Sequence, residues 1–469
     1  MNKPVARAHP YMPNSIERVK EQLLEGLGVS SAEALYEQIP ESHRARDDFD
    51  FPKALSSEVE LDRHMNDLLN KNTSCVKNLS FLGGGCWQHY VPAVCQEIMS
   101  RSEFLTPVWG TPSSDHGRNQ AWFEFNSGLG ELLGAEMVGM PVYSWGCAAG
   151  HALRMAARLT GRSTVLIPRI LDPQRRAVIT NYCEPEQMDS HLRVLEIAID
   201  ETSGGLDLNA LEAVLDDSVA AIYVETPNYL GTFETQLERI AELSRAAGAE
   251  CIVGVDPISL GVLKAPGDCG ADLIVGSTQP LGIPMSCGGG LGGFIASRDE
   301  PRYAHEYPTL MLSATDTERE GEIGFSMALM HQSSYGSREE GKDWTGNSTY
   351  LHAIAGAVYL ALMGPQGMRE IGELILQRAH YAAHKLNAIN GVSIPRLQGF
   401  FKEFVVNYDA TGKSVVQINQ ALLARGIFGG IDLSSDFPEL GNSALLCVTE
   451  IHTQDDIDRL ITALTEICA

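Results

Sequence analysis

The sequence lacks several features that would assign a class of protein at once. Its ten cysteines are spread singly from Cys75 to Cys468 without a CxxC pair, which argues against a disulfide framework or a zinc site and favours reduced, mostly buried thiols. No stretch approaches the roughly 18 uninterrupted apolar residues of a membrane-spanning helix. The first thirty residues contain no apolar core of signal-peptide length. We therefore expect a cytoplasmic protein that binds no membrane.

Positive charge is also scarce. The chain has 35 Lys and Arg against 60 Asp and Glu, for a net charge of -25. Such a surface repels phosphates, so we expect no nucleic-acid partner. With 469 residues, of which 44% are hydrophobic, the chain can bury the cores of two or three domains of roughly 150 residues each.

The hydrophobic pattern divides the chain into three segments. Residues 1–79 are polar and helical, and apolar residues at helical spacing run from Ile16 to Leu27 before Gly28 stops the pattern. Residues 80–348 alternate short β-branched runs with amphipathic stretches, and residues 349–469 begin with two long helical patterns. We predict an α/β protein with a helical N-terminal arm, a large domain with a mostly parallel sheet, and a small C-terminal α/β domain. The predicted strands of the large domain are 164–167, 193–199, 219–224, 251–255, 273–275 and 293–296.

An aspartate follows one of these predicted strands. The run from Cys251 to Gly261 places Asp256 at the carboxyl end of a buried strand, where α/β folds hold their ligands. In pyridoxal-phosphate (PLP) enzymes of the aminotransferase-like fold, such an aspartate pairs with the ring nitrogen of the cofactor. The alternative is an aspartate that only caps the following turn.

The lysine that a PLP enzyme needs is missing from its expected place. The next strand and turn, from Ala271 to Gly282, carry Gln279 instead, and glutamine cannot form an imine with the cofactor. Lys264 is too close in sequence to Asp256 to come from the next strand, and it fits a solvated loop cation better. The sequence therefore predicts a PLP-transferase-like fold (aminotransferase fold type I) without a catalytic residue.

Two serines complete the candidate site. Ser144 precedes an apolar helix, whose first N–H groups could bind an anion, although a plain helix cap is the alternative. Ser259 follows Asp256 in the same turn. We predict that Asp256, Ser259, Gln279 and Ser144 mark a vestigial cofactor pocket. No metal site is predicted.

Three runs of sequence resemble one family: Asp256–Gly267, Gly270–Gly276 and Gln279–Ser286. They are similar to subunit 1, the alpha chain, of the bacterial two-subunit glycine dehydrogenase (decarboxylating), the P-protein of the glycine cleavage system. That family also has glutamine at the position of Gln279. Phe81–Gly85 and His89–Val94 carry the same resemblance toward the N-terminus.

The resemblance implies a subunit that does no covalent chemistry itself. PLP is expected on a lysine-bearing beta subunit, with none bound covalently to this chain. The complex would decarboxylate glycine and pass the aminomethyl group to the lipoylated H-protein. The chain is accordingly expected in an oligomer, either hetero or homo.

Four stretches depart from the family pattern: Leu105–Arg118, Tyr143–Ala149, Asp172–Arg176 and Arg338–Asn347. These departures favour, as an alternative, a repurposed paralogue that acts with another partner, or alone, in amino-acid or specialised metabolism. A further alternative is a non-enzymatic protein that binds ligands without an enzyme partner.

Overall fold

A computed structural model describes residues 12, 16–45, 50–52, 54–105, 112–188, 190–328, 337–346 and 348–469, with the backbone alone for 112–117. The chain forms two compact units, Met1–Asn72 and Thr73–Ala469. A division of the second unit into a large and a small domain remains a prediction. Two of the departing stretches, Leu105–Arg118 and Arg338–Asn347, lie partly outside the described residues.

The first unit contains two amphipathic helices, α1 Glu17–Leu27 and α2 Glu58–Leu69. Gly28 ends α1 in the left-handed conformation, with φ 70°, which costs glycine little because it has no Cβ. Ser57 begins α2 by accepting a hydrogen bond from the N–H of Glu60. The predicted helix and its stop at Gly28 are confirmed. Both helices are described throughout, and none of their residues is buried.

The second unit alternates strands and helices. Its described helices are α3 Ala93–Met99, α4 Pro112–Leu133, α5 Trp145–Thr160, α6 Pro173–Cys183, α7 Leu208–Val214, α8 Leu237–Ala247, α9 Pro301–Ala304, α10 Tyr350–Leu386, α11 Val415–Leu423 and α12 Gln454–Cys468. Its described strands are β1 Leu79–Ser80, β2 Met137–Val138, β3 Thr164–Pro168, β4 Arg193–Ile197, β5 Val219–Thr226, β6 Glu250–Val255, β7 Leu273–Ser277, β8 Gly293–Ser297, β9 Met311–Asp316, β10 Ile323–Ala328, β11 Glu403–Asn407, β12 Ile427–Phe428, β13 Ile431–Asp432 and β14 Ser443–Cys447.

The central sheet has the order β2-β8-β7-β6-β5-β3-β4. Strands β3 to β7 pair with one another in parallel, whereas at one edge of the sheet β8 pairs antiparallel with both β7 and β2. Strands β5, β6 and β7 are buried along their whole length, as is typical of strands covered on both faces. All six predicted strands are present, and the prediction of a mostly parallel sheet is confirmed. The antiparallel edge is the part that the pattern did not predict.

The C-terminal part has its own three-stranded antiparallel sheet, with the order β11-β14-β13. Helix α10 kinks at Gly364, where φ is 58° and Pro365 follows, because proline removes a backbone hydrogen bond. The two predicted helical patterns lie on either side of this kink. The sequence pattern did not predict the hairpin of β9 and β10.

The cysteines lie in the described parts of the chain and are all free thiols. Seven of the ten are buried, so the predicted mostly buried thiols are confirmed. Among the described residues, no helix is both long enough and apolar enough to cross a membrane.

The close packing of α10 on the turn after β6 gives a test of the fold. A Cβ at Gly261 would lie 2.0 Å from the backbone oxygen of Met368, so we expect Gly261→Ala to lower the free energy of unfolding by about 2 kcal/mol. The matched control is Gly128→Ala, whose Cβ would make an ordinary 3.5 Å contact with Leu360 on the same helix. Urea unfolding measures both variants, and equal stability of the two would contradict this packing.

Candidate functional site

Asp256 lies directly after β6, in the middle of the central sheet. Its Oδ1 accepts a hydrogen bond from the N–H of Ile258 at 3.1 Å, which caps the 3-10 turn Pro257–Gly261. The residue is only 3% exposed. Its Oδ2 lies 2.8 Å from Nζ of Lys402. The aspartate therefore caps its turn and also forms a buried ion pair.

Lys402 comes from the residue before β11, on the C-terminal side of the chain. Its side chain is buried, and its ammonium group touches three partners. Besides Asp256, these are Nε2 of His89 at 3.0 Å and the ring of Trp87, whose centroid is 3.5 Å from Nζ. An ammonium group has three N–H bonds to donate, and a Trp ring face attracts a cation. This buried cation is therefore held by an ion pair, a hydrogen bond and a ring face, all within the chain.

His89 connects Lys402 to a second carboxylate. The ammonium group has only hydrogens to give, so Nε2 of His89 must be the acceptor. The proton of a neutral imidazole is then on Nδ1, which lies 2.7 Å from Oε2 of Glu450. Oε1 of Glu450 accepts from the N–H of Tyr90 at 2.7 Å. A buried chain of contacts thus runs from Asp256 to Glu450: an ion pair to Lys402, then hydrogen bonds from Lys402 to His89 and from His89 to Glu450.

The side-chain amide of Gln279 forms hydrogen bonds with both the backbone N–H and the backbone oxygen of Trp87. Its Oε1 accepts from the N–H of Trp87 at 3.2 Å, and its Nε2 donates to the oxygen of Trp87 at 2.9 Å. Nε2 also donates to the oxygen of Ile283 at 3.1 Å. The amide is 1% exposed, and its hydrogen bonds position the ring that lies on Lys402.

The two predicted serines support local structure. Ser259 is fully buried, and its hydroxyl donates to the backbone oxygen of Asp256 at 2.7 Å. Ser144 caps α5, where its Oγ accepts from the N–H of Cys147 at 3.1 Å. The structure therefore brings Ser259 and Gln279 to the surroundings of Asp256 and Lys402. Ser144 is not among the residues that line the cavity beside Asp256, but the next residue, Trp145, is.

A second buried ion pair lies on the other side of this cavity. Nη1 of Arg175 donates to both carboxylate oxygens of Glu225, at 2.7 and 2.8 Å. The guanidinium carbon is 3.8 Å from the centroid of the Trp145 ring. The hydroxyl of Tyr223 donates to Glu225 at 2.6 Å and accepts from Nε1 of Trp145 at 3.0 Å. Arg175 comes from the departing stretch Asp172–Arg176, so that departure reaches the site.

The cavity between the two ion pairs is too small for PLP. Its volume is about 20 Å³, which is room for about one water molecule, whereas pockets for organic ligands have volumes of about 300 Å³ or more. The carboxylate of Asp256 is paired with Lys402, and the amide of Gln279 is committed to Trp87. The residues present therefore do not fit this cofactor.

The sequence reasoning missed the residues of the chain of contacts around Asp256, which are Trp87, His89, Lys402 and Glu450, and also the second ion pair of Arg175 and Glu225. Their partners are far away in the chain, so spacing could not connect them. One signal was available, because Lys402 and Glu403 are charged residues inside the apolar run from Phe401 to Val406. Charged residues in such a run are rarely buried unless they are paired.

Glu450 makes the site sensitive to acid. Burial raises the pKa of its carboxyl group. The attraction of His89 and the hydrogen bonds from His89 and the Tyr90 N–H outweigh this effect, and together they lower the pKa from 4.5 to about 2. A depressed folded-state pKa stabilises the fold above about pH 4.5, and this contribution is lost as the pH falls toward 2. We expect Glu450→Gln to lose about 2 kcal/mol of stability at pH 7, less than half of that at pH 3 and little at pH 2. Urea unfolding across this range, with Glu373→Gln as the exposed control, measures it; a pH-independent difference would contradict the ionic role.

Comparison with known proteins connects the whole chain to one family. The family model for the glycine cleavage system P-protein matches residues 9–464. The probable glycine dehydrogenase (decarboxylating) subunit 1 of Staphylothermus marinus is 35% identical over 467 residues, covering 98% of each chain. The protein of the same name from Brevibacillus brevis is 36% identical over 458 residues, covering 97% of this chain and 98% of the relative.

Solved structures agree with this result. The crystal structure of a glycine decarboxylase (P-protein) of the glycine cleavage system, in inhibitor-bound form, matches with a TM-score of 0.84 and 31% identity, over 98% of this chain and 100% of that one. A sphingosine-1-phosphate lyase of Burkholderia pseudomallei, at 15% identity and a TM-score of 0.62 over 89% of this chain and 92% of its own, supports the fold alone. The predicted fold class and the resemblance are confirmed. The chain belongs to the glycine cleavage system P-protein family.

Proposed function

We propose that this chain is the non-catalytic subunit of a glycine-decarboxylating P-protein. A lysine-bearing beta subunit would hold the PLP, and the complex would convert glycine to CO2 and an aminomethyl group on the lipoyl arm of the H-protein. The observation that carries the proposal is that Gln279, at the position where the sequence leads us to expect the lysine of a PLP enzyme, uses its amide to hold the backbone of Trp87.

Lysine cannot take over what Gln279 does here. A lysine side chain has donors and no acceptor, so it could reach the oxygen of Trp87 but would leave the buried N–H of Trp87 without its partner. Leaving a buried donor unsatisfied costs about 1–3 kcal/mol. In this proposal Gln279 therefore supports the structure of the site through its hydrogen bonds and does not react with a ligand.

Two observations support a partner subunit. The relatives named above are called subunit 1. The helices α1 and α2 also expose their apolar side chains, such as Leu27 at 62% and Leu69 at 58%. Exposed apolar faces on amphipathic helices are typical of surfaces that another chain covers. In this proposal the contribution of the chain to the complex is structural.

The first prediction concerns covalent binding of the cofactor. After incubation with PLP and reduction with borohydride, peptide mapping should find no stoichiometric pyridoxyl-lysine on the chain. Lys402 is the critical lysine because it lies at the cavity, but its amine is already held by Asp256, His89 and Trp87, and the cavity beside it has a volume of only about 20 Å³. The lysine-bearing subunit, treated in the same way, is the positive control. Stoichiometric labelling of Lys402 would overturn the non-catalytic role.

The second prediction concerns the activity. The chain alone should not exchange labelled bicarbonate with the carboxyl group of glycine. Mixed with its lysine-bearing subunit and lipoylated H-protein, it should give exchange at least about tenfold faster than the lysine-bearing subunit with H-protein alone. Isotope counting of reisolated glycine measures the rate.

Two outcomes of the exchange assay would favour the other readings of the sequence. If the two subunits assemble without glycine exchange but turn over another amino acid, the chain is a repurposed paralogue, as the departing stretches suggest. If no PLP subunit binds, as judged by size-exclusion chromatography with light scattering, a role without an enzyme partner replaces the proposal.

A further inference from the structure

The side chain of Lys402 lies at the cavity beside Asp256, where a bound amine could also lie. Its ammonium group is held by a carboxylate, an imidazole nitrogen and an aromatic face: Asp256 at 2.8 Å, His89 at 3.0 Å and Trp87 at 3.5 Å from the ring centroid. The three groups come from distant parts of the sequence and converge on one point. An anion, a neutral acceptor and a ring face are the elements of a site for a primary ammonium ion.

The walls of this site are held independently of Lys402. Asp256 is fixed by the hydrogen bonds of its own turn, from Ile258 to its Oδ1 and from Ser259 to its backbone oxygen. Trp87 is fixed by Gln279, and His89 is fixed by Glu450. Removal of the lysine side chain would therefore leave the three binding groups in place around the space it filled.

The small remaining volume of the cavity has the same origin. Lys402 and Asp256 both line a cavity of about 20 Å³, so the lysine stem and its ammonium group fill the space in front of the carboxylate. Without the lysine, the nearly buried carboxylate would lose the cation with which it forms its ion pair. A buried carboxylate that has lost its partner is costly, and a cation that binds in the place of the partner would offset this cost.

We propose that Lys402 is a tethered cation that occupies a preformed binding site for a primary ammonium group, and that the site takes a small alkylammonium ion from solution when the lysine side chain is removed. The proposal concerns Asp256, Trp87, His89 and Lys402 in this chain. It holds whether or not the chain serves in glycine decarboxylation, because it needs neither a partner subunit nor a cofactor.

The test is chemical rescue of Lys402→Ala in the full-length chain. We expect the substitution to lower the melting temperature by about 5 °C or more, because it strands a buried charge. Addition of n-propylammonium chloride at millimolar concentration should restore at least half of this loss. Sodium chloride at equal ionic strength and tetramethylammonium chloride, which has no N–H to donate, should not. The wild-type chain should not respond to n-propylammonium.

The matched control is Lys264→Ala. Lys264 also forms an ion pair, with Glu238 at 3.2 Å, but both side chains are more than half exposed, so the substitution should change the melting temperature by about 1 °C or less. Equal responses of Lys264→Ala and Lys402→Ala to n-propylammonium would show a non-specific salt effect and overturn the proposal. The absence of any specific rescue of folded Lys402→Ala would also overturn it.

A second pair of variants covers the case in which Lys402→Ala does not fold. Lys402→Met keeps most of the side-chain volume but removes the charge, and Asp256→Asn removes the charge that would be stranded. The double variant Lys402→Met with Asp256→Asn should melt at least about 3 °C above Lys402→Met alone if a tethered cation neutralises Asp256. A double variant that melts at or below Lys402→Met would overturn the proposal.

Discussion

The ion pair between Asp256 and Lys402 connects the end of the central strand β6 to the residue that precedes β11. Both side chains are almost completely buried, at 3% and 2% exposure. Taking two charges out of water costs several kcal/mol each, and this cost is offset only when the remaining hydrogen-bonding capacity is also satisfied. Part of this capacity is satisfied here, because Lys402 also donates to His89 and lies on Trp87, and Oδ1 of Asp256 accepts from its own turn, whereas Oδ2 of Asp256 has the ion pair with Lys402. The rest of the site is arranged around this requirement.

Each neighbour of the ion pair is positioned by another residue. Gln279 holds the backbone of Trp87, and Glu450 fixes the tautomer of His89 by accepting its Nδ1 proton. Networks of this kind are stable when every member is satisfied, and they are costly to disturb when one member is removed. The hydrogen bonds between Gln279 and Trp87 are part of this network.

The second ion pair shows how the departure from the family pattern reaches the cavity. Arg175 lies in one of the divergent stretches, and its guanidinium group fills the space over the Trp145 ring while it pairs with Glu225. Together, Arg175 and Lys402 supply two buried cations in a chain whose net charge is -25. Local charge in the site is therefore set by pairing inside the fold, and the acidic composition of the whole chain does not predict it.

The sequence by itself determined the α/β class, six of the seven strands of the central sheet and the family, because these depend on local periodicity and on runs such as Asp256–Gly267 that are read along the chain. It also placed Asp256 at the end of a buried strand and showed glutamine at position 279. Only the tertiary structure decided that Lys402 is the partner of Asp256, that Gln279 holds Trp87, and that the cavity between the two ion pairs has a volume of only about 20 Å³. Asp256 and Lys402 are 146 positions apart in the chain, and Trp87 and Gln279 are 192 positions apart. Side chains at such separations meet only after the strands and helices have packed. No spacing rule connects them, because the distance in space is set by the fold and not by the chain.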